Sequence, residues 1–121
     1  MKFELTQSFY FEAAHTLERV YETESSRRIH GHTYLAKVTV CGQPHPQTGM
    51  VVDLAQLRAA LGEVRQKLDH HMLDDIAELG PATLENLCRY IHLQLQRPDW
   101  TLTRVEVSRS ASGDACCLTL S

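Results

Sequence analysis

The stretch of sequence that decides the fold is HGHTYLAKVTVC, residues 30–41. From residue 34 onward, apolar side chains recur at every second position, and the positions between them are mostly polar. One face carries Tyr34, Ala36, Val38 and Val40, and the other carries Thr33, Lys37 and Thr39. Because successive side chains of a strand point to opposite faces, this pattern predicts a β-strand over 30–41 with one buried face.

The flanking sequence predicts three further strands and two helices. The same alternation predicts strands over residues 2–14, 101–109 and 115–120. One helix is predicted to begin after Asp53, with an apolar stripe of Leu54, Leu57, Leu61, Val64 and Leu68. A second helix is predicted to begin after Thr83 and to end before Pro98. Residues 16–29 are polar and charged, and are predicted to form a loop or an irregular segment.

The predicted order of elements, β-β-α-α-β-β, indicates an α+β fold. Strands at both ends and helices in the middle favour a four-stranded, largely antiparallel sheet with two helices on one face. A chain of 121 residues fits a single domain, residues 1–121. Both edges of such a sheet are open to strand pairing with another chain, so we expect a homo-oligomer.

Charge and composition exclude several classes of function. Twelve Lys and Arg residues against 15 Asp and Glu residues give a net charge of −3, which leaves no overall basic field for nucleic acid or a membrane surface. No apolar run approaches the ~20 residues of a membrane span. Residues 1–4 lack the apolar block of a signal peptide, and the four cysteines form no Cys-x-x-Cys pair. We therefore expect a cytoplasmic protein without a disulfide framework.

Three of the seven histidines are placed so that they can meet. His30 and His32 share one face of the predicted strand, about 6.5–7 Å apart. If the first two strands pair, His15 at the end of the first lies near both. Three neutral imidazoles suit zinc and leave its fourth position open for substrate or water. A His-x-His pair can equally arise by chance on a polar strand, and the triplet alone leaves both interpretations open.

A second histidine motif, Asp69-His70-His71, falls at the end of the first predicted helix. Histidines at a helix C-terminus interact favourably with the helix dipole, which is one interpretation. In the other, the carboxylate of Asp69 orients and charges an imidazole that shuttles protons. The spacing allows both.

Five motifs occur in order along the chain: FYFEAAH at 9–15, HGH at 30–32, VDL at 52–54, LDHHMLDD at 68–75 and PATLEN at 81–86. With them the chain resembles, over nearly its whole length, the 6-pyruvoyl tetrahydropterin synthases. It also resembles their bacterial relatives, the 6-carboxy-tetrahydropterin synthases of deazaguanine (queuosine) biosynthesis. The resemblance implies the tunnelling fold, in which subunits join their sheets into a barrel, commonly as trimers that stack into hexamers.

The resemblance also implies an activity and the residues that carry it. The expected protein is a zinc-dependent lyase that converts 7,8-dihydroneopterin triphosphate to 6-carboxy- or 6-pyruvoyl-tetrahydropterin. The zinc ligands implied are His15, His30 and His32. Asp69 and His70 are expected to act in acid–base catalysis at a site on a subunit boundary. Thr83 and Glu85 belong to the segment expected to seat the pterin ring.

The chain departs from this family at the catalytic base. Family members carry a cysteine shortly before the HGH motif, and its bacterial and animal positions hold Ser26 and Glu24 here. The glutamate of a third known variant is replaced by Arg27. A serine hydroxyl is a far weaker acid than a thiol, whose pKa is about 8.5. The carboxylate of Glu24 needs no activation if its loop brings it inward, and is otherwise a solvated charge.

A second departure lies at the end of the third predicted strand. Arg109 stands where family members carry a glutamate that pairs with the pterin's amino-pyrimidine edge. Arginine only donates hydrogen bonds, so it favours an acceptor-rich or anionic group. Glu106 is close in sequence but is predicted to point to the opposite face. Two alternatives follow: a diverged paralogue that acts on another pterin or purine-like substrate, and a non-catalytic oligomer that binds zinc and a ligand.

Overall fold

The computed structural model describes residues 1–120. The strands are β1 (Phe3–His15), β2 (His30–Gly42), β3 (Thr101–Arg109) and β4 (Asp114–Thr119). The helices are α1 (Thr23–Arg27), α2 (Leu54–Leu68) and α3 (Leu84–Gln94), with single 3-10 turns at Leu73–Asp75 and Ala77–Leu79. The predicted α+β fold is confirmed, with α2 and α3 as its two predicted helices.

Helix α1 lies inside residues 16–29, so the prediction of a loop there is wrong for five residues. The backbone N–H of Ser26 donates to the carbonyl of Glu22 at 3.0 Å. The hydroxyl of Thr23 donates to the carbonyl of Arg19 at 2.6 Å. These local hydrogen bonds close one helical turn from polar residues, and a polar turn has no apolar period by which it can be recognised.

The sheet is an antiparallel meander with the strand order β1-β2-β3-β4. Strands β1 and β2 pair over their full lengths, from Phe3 opposite Gly42 to His15 opposite His30. This register meets the condition under which the three histidines were predicted to lie together, namely that the first two strands pair. It also places the end of β1 beside the start of β2, where the three histidines lie.

One face of the sheet packs against α2 and α3 to form the core. Its fully buried side chains include Phe11, Tyr34, Ala36, Val38, Val105 and Val107. The rings of Phe11 and Tyr34 stack across the hairpin, with centroids 4.8 Å apart and planes inclined by 12°. The helices contribute Leu57, Leu61, Val64, Leu68, Leu87 and Ile91. Leu54, predicted to join this stripe, is 39% exposed because it is the first residue of α2 and lies beyond the core.

Side-chain caps fix the starts of the two long helices. The carboxylate of Asp53 accepts from the N–H of Ala55 at 2.9 Å, and the hydroxyl of Thr83 accepts from the N–H of Asn86 at 3.1 Å. Both predicted caps are thereby confirmed. Within residues 1–120, no helix combines the length and the apolar character needed to cross a membrane.

The segment after α2 covers part of the outer edge of β1. The N–H of His70 donates to the carbonyl of Glu12 at 2.6 Å, and the N–H of Ala14 donates to the carbonyl of His71 at 3.1 Å. Met72 then forms an isolated parallel β-bridge with Ala14. The backbone of His70 adopts a φ of 59° to make this turn, which is uncommon for a residue with a side chain. The outer edge of β1 is therefore covered near His15 and open to strand pairing over the rest of its length.

The buried stripe of α2 is predicted to carry much of the stability. Leu57 is fully buried, whereas Leu93 on α3 is 60% exposed. We expect Leu57→Ala to lower the free energy of unfolding by about 2–5 kcal/mol through lost burial and the cavity left behind. The matched control Leu93→Ala should change it by less than about 0.5 kcal/mol. Urea denaturation of both variants measures this, and equal losses would contradict the assignment of the core.

Candidate functional site

His15, His30 and His32 converge at the end of the β1–β2 hairpin. His15 lies opposite His30, and His32 lies opposite Ala13, so all three imidazoles stand on the helix-covered face. The ring centroids are 4.5 Å apart for His15 and His30, and 5.0 Å apart for each of the other two pairs. One nitrogen from each ring lies within 4.8 Å of the other two. At this spacing the triad could hold one metal ion.

Backbone carbonyls orient two rings of the triad. Nδ1 of His15 lies 3.0 Å from the carbonyl of Ala82, and Nδ1 of His30 lies 2.8 Å from the carbonyl of Arg28. Because a carbonyl can only accept, each Nδ1 carries the proton and each Nε2 presents a lone pair. Nε2 of His15 is buried and has no hydrogen-bond partner within residues 1–120. A buried acceptor without a partner is costly, and a metal ion fits this donor set.

The surroundings keep two of the imidazoles neutral. Burial, and then the neighbouring His30, lower the pKa of His15. Burial, and then the positive charge of Arg109, lower the pKa of His32 from 6.5 to about 4. The neutral imidazole, which is the form that binds metals, therefore predominates at neutral pH without any metal present.

The triad forms part of the wall of a cleft with a volume of about 740 Å³. Four other predicted site residues line the same cleft: Ser26, Thr83, Glu85 and Arg109. Glu24 is exposed on α1 and is not among the residues that line it. The structure thus brings most of the predicted residues together and separates the two candidate bases.

Ser26 lies in the cleft wall with its hydroxyl proton already engaged. The residue is 5% exposed, and its hydroxyl donates to the carbonyl of Thr23 at 3.0 Å. Its own carbonyl accepts from the N–H of Leu17 at 2.7 Å. The first contact lies within α1, and the second holds the chain just after β1 against α1, so Ser26 has a structural role in addition to its place in the cleft.

Asp69 is fixed at the end of α2 by contacts with two neighbours. Its Oδ1 accepts from the N–H of Glu12 at 2.9 Å, and its Oδ2 lies 3.1 Å from Nη2 of Arg65. The hydrogen bond from Glu12 is the main cause that lowers the pKa of Asp69, against an opposing effect of desolvation and with help from Arg65. The group is therefore a well-oriented carboxylate at neutral pH.

His70 does not join the triad within one chain. Its side chain is 76% exposed, and its Nε2 lies 3.8 Å from Oε2 of Glu12 and 4.0 Å from Oδ1 of Asp69. Glu12 points away from the face that carries Ala13. His70 lines a second cleft of about 530 Å³, which shares only His32 with the first.

Arg109 ends β3 on the same face as the triad. Its Nη2 donates to Oδ2 of Asp114 at 2.8 Å, and its Nη1 lies 3.4 Å from Nε2 of His32. Its Nε is buried and has no partner within the described residues. Glu106 lies three positions before Arg109 in β3, opposite Lys37 of β2, and points to the opposite face of the sheet. The cleft therefore presents a guanidinium at this position.

Two residues near the site were not expected from the sequence. Asp74 accepts from the N–H of Thr16 at 3.0 Å and also from its hydroxyl, which fixes the chain directly after His15. Desolvation would raise the pKa of Asp74, but the hydrogen bonds from Thr16 hold it below its usual value. The hydroxyl of Tyr34 is buried without a partner in the part of the chain described. Asp74 lies in the LDHHMLDD motif, whereas the alternation of β2 marked Tyr34 only as a core residue.

The fold and the triad define an α+β protein with a three-histidine centre in a cleft at the end of an antiparallel sheet. The chain belongs to the 6-pyruvoyl tetrahydropterin synthase family, whose model matches residues 4–118. It is similar to the 6-carboxy-5,6,7,8-tetrahydropterin synthase of Synechocystis sp., with 35% identity over 95 residues, 74% of this chain and 72% of that relative.

Two further comparisons extend this result. The chain is 41% identical over 78 residues to the 6-pyruvoyl tetrahydrobiopterin synthase of Drosophila melanogaster. The aligned region covers 58% of this chain and 46%, about half, of that relative. The structure of Caenorhabditis elegans 6-pyruvoyl tetrahydropterin synthase superposes with a TM-score of 0.82 at 25% identity, covering 100% of this chain and 97% of that one. The predicted family and fold are confirmed.

The geometry of the triad predicts that metal binding depends on the hairpin histidines. We expect the double variant His30→Ala/His32→Ala to lose tightly bound Zn²⁺, because only one of three ligands remains. A matched double variant, His45→Ala/His92→Ala, removes two histidines outside the cleft and should retain the metal. Metal analysis after dialysis, with circular dichroism to check folding, measures this. Stoichiometric zinc in the first variant would place the metal elsewhere.

Proposed function

We propose that this protein is a zinc-dependent lyase that acts on 7,8-dihydroneopterin triphosphate and forms 6-carboxy- or 6-pyruvoyl-tetrahydropterin. The observation that carries the proposal is the convergence of His15, His30 and His32 in a cleft of about 740 Å³. Membership of the family supports the reaction class, since the Synechocystis and Drosophila relatives are named as tetrahydropterin and tetrahydrobiopterin synthases.

In this proposal the triad holds Zn²⁺ through Nε2 of His15 and His30 and a ring nitrogen of His32. Three protein ligands leave a position for the substrate, and the bound ion would supply a Lewis acid that lowers the pKa of a substrate hydroxyl. Thr83 and Glu85 line the same cleft and would seat the ring. A carboxylate such as Glu85 accepts hydrogen bonds from the N–H groups of a heterocycle.

Proton transfer is assigned to Asp69 and His70 of a second copy of the chain. Asp69 is held as an oriented carboxylate, and His70 is exposed on the outer side of the hairpin. An exposed imidazole beside a fixed carboxylate suits a proton shuttle. A homo-oligomer, a trimer or a hexamer, would bring this pair to the triad of a neighbour, and the free β4 edge is one place for subunits to join.

The group that takes the place of the family's catalytic cysteine is Ser26 or Glu24. Ser26 has the right location, but its hydroxyl is a weak acid that donates to a backbone carbonyl. Glu24 has the right chemistry, but it is exposed and would have to move with α1 to reach the cleft. The two candidates are distinguished by substitution, as described below.

One observation favours a second function. Arg109 stands beside the triad where a carboxylate reader of the pterin edge is expected, and it has only donors to offer. The alternative is therefore a diverged paralogue that acts on another pterin or purine-like compound, or an oligomer that binds zinc and such a ligand without catalysis.

The proposed reaction predicts release of triphosphate and formation of a new pterin. We expect both when the zinc-loaded protein is incubated with 7,8-dihydroneopterin triphosphate, with products resolved by chromatography. Glu24→Gln should abolish turnover if Glu24 is the base, whereas Ser26→Ala should do so if Ser26 is. No product from the wild type, together with protection by a different heterocycle in thermal unfolding, would favour the second function.

A mixing experiment tests the assignment of Asp69 and His70 to a second copy. His32→Gln and His70→Gln are each expected to lack activity. Unfolding them together and refolding the mixture should restore about one quarter of wild-type turnover, because one kind of mixed pair unites an intact triad with an intact His70. A mixture of His32→Gln with His30→Gln is the control and should stay inactive. No recovery in the first mixture would place both groups in one chain.

A further inference from the structure

The guanidinium of Arg109 stands next to Nε2 of His32, one of the three residues that could hold a metal. Its Nη1 is 3.4 Å from Nε2 of His32, while its Nη2 is occupied by Asp114 at 2.8 Å. The side chain of Arg109 is 20% exposed and that of Asp114 is 50% exposed. The positive charge therefore faces the triad from a partly buried position, where screening by salt is weak.

A metal at the triad would change the hydrogen bonding and the electrostatics of Arg109. If His32 held a cation through Nε2, the lone pair of that nitrogen would no longer be available, and Nη1 of Arg109 would lose the acceptor beside it. All three ligands are neutral imidazoles, so the full charge of the ion repels the guanidinium. A negatively charged group at the open position removes both costs, because it binds the metal and accepts from Nη1.

We propose that this cleft selects a ligand whose metal-facing group is an oxyanion, a carboxylate or a phosphate, shared between the metal and Arg109. The inference rests on the metal site of the proposed function, but not on its lyase reaction. It favours small molecules with a carboxylate or a phosphate at this end of the cleft over ligands that would meet the metal through a hydroxyl.

The second arginine of the cleft, Arg19, does not fit this role. Its side chain is 49% exposed and pairs with Glu22 at 3.7 Å within one turn of chain. Arg109 is by contrast held in place, since Asp114 accepts from both its guanidinium and the hydroxyl of Ser112 at 3.0 Å. A fixed donor beside the triad is the one that can select a ligand group, and Arg19 supplies a matched control.

The test is zinc affinity, measured by competition with a chromogenic chelator, with and without acetate or methylphosphonate. We expect the wild type to bind zinc several-fold more tightly when the oxyanion is present. Arg109→Gln should bind zinc alone about tenfold more tightly, because the variant removes a positive charge that would repel the ion from beside the triad. The same variant should lose the effect of the anion. Arg19→Gln should behave as the wild type.

A second variant makes the charge beside the triad more positive instead of less. Asp114→Asn removes the partner of Arg109, so zinc alone should bind more weakly and the oxyanion should help more. Because Asp114 is half exposed, this variant keeps the test available if Arg109→Gln fails to fold. An effect with acetate alone assigns a carboxylate, and an effect with methylphosphonate alone assigns a phosphate.

The failures of the two proposals can be told apart. If the wild type binds no zinc, the metal site of the proposed function is wrong. If zinc binds normally but neither Arg109→Gln nor Asp114→Asn alters its affinity or the effect of the oxyanion, the role given to Arg109 is overturned and the metal site stands.

Discussion

The register between β1 and β2 is the constraint on which both the core and the site depend. It places His15 opposite His30, and four residues earlier it stacks Phe11 on Tyr34 with centroids 4.8 Å apart. A slip of one residue would turn every side chain of β1 to the other face. The apolar packing that holds the hairpin against α2 and α3 therefore also fixes the positions of the triad. The site has little freedom to rearrange without cost to the core.

Burial at this hairpin end prepares the histidines in a particular chemical state. Desolvation lowers the pKa of His15 and His32, and backbone carbonyls point the Nε2 atoms of His15 and His30 inward. The three rings bring no negative charge, and Arg109 adds a positive one. A metal held there would keep its charge uncompensated by protein ligands. In the role proposed for Arg109, this charge is what favours an anionic ligand.

The proposed chemistry is divided between the two sides of the hairpin. The segment after α2 pairs with the edge of β1 and carries His70 to the side away from the triad. The two clefts share only His32. Glu12 and Arg65 hold Asp69 in place, and the neighbouring His70 is exposed. This pair is therefore suited to act on a neighbouring chain. In the proposed function, catalysis therefore requires assembly, because the triad and the Asp69–His70 pair come from different chains.

Much of this protein follows from local sequence periods. The alternation over 30–41 determined β2, its buried face and the shared side of His30 and His32, because side-chain direction in a strand depends only on parity. Family motifs supplied the remaining candidate residues. Helix α1 was missed because its polar residues carry no period. Only the tertiary structure decided that Arg109 meets His32, 77 residues away, and that Asp74 holds Thr16, 58 residues away. Such contacts arise when separate strands and turns pack together, and no local pattern encodes their distances.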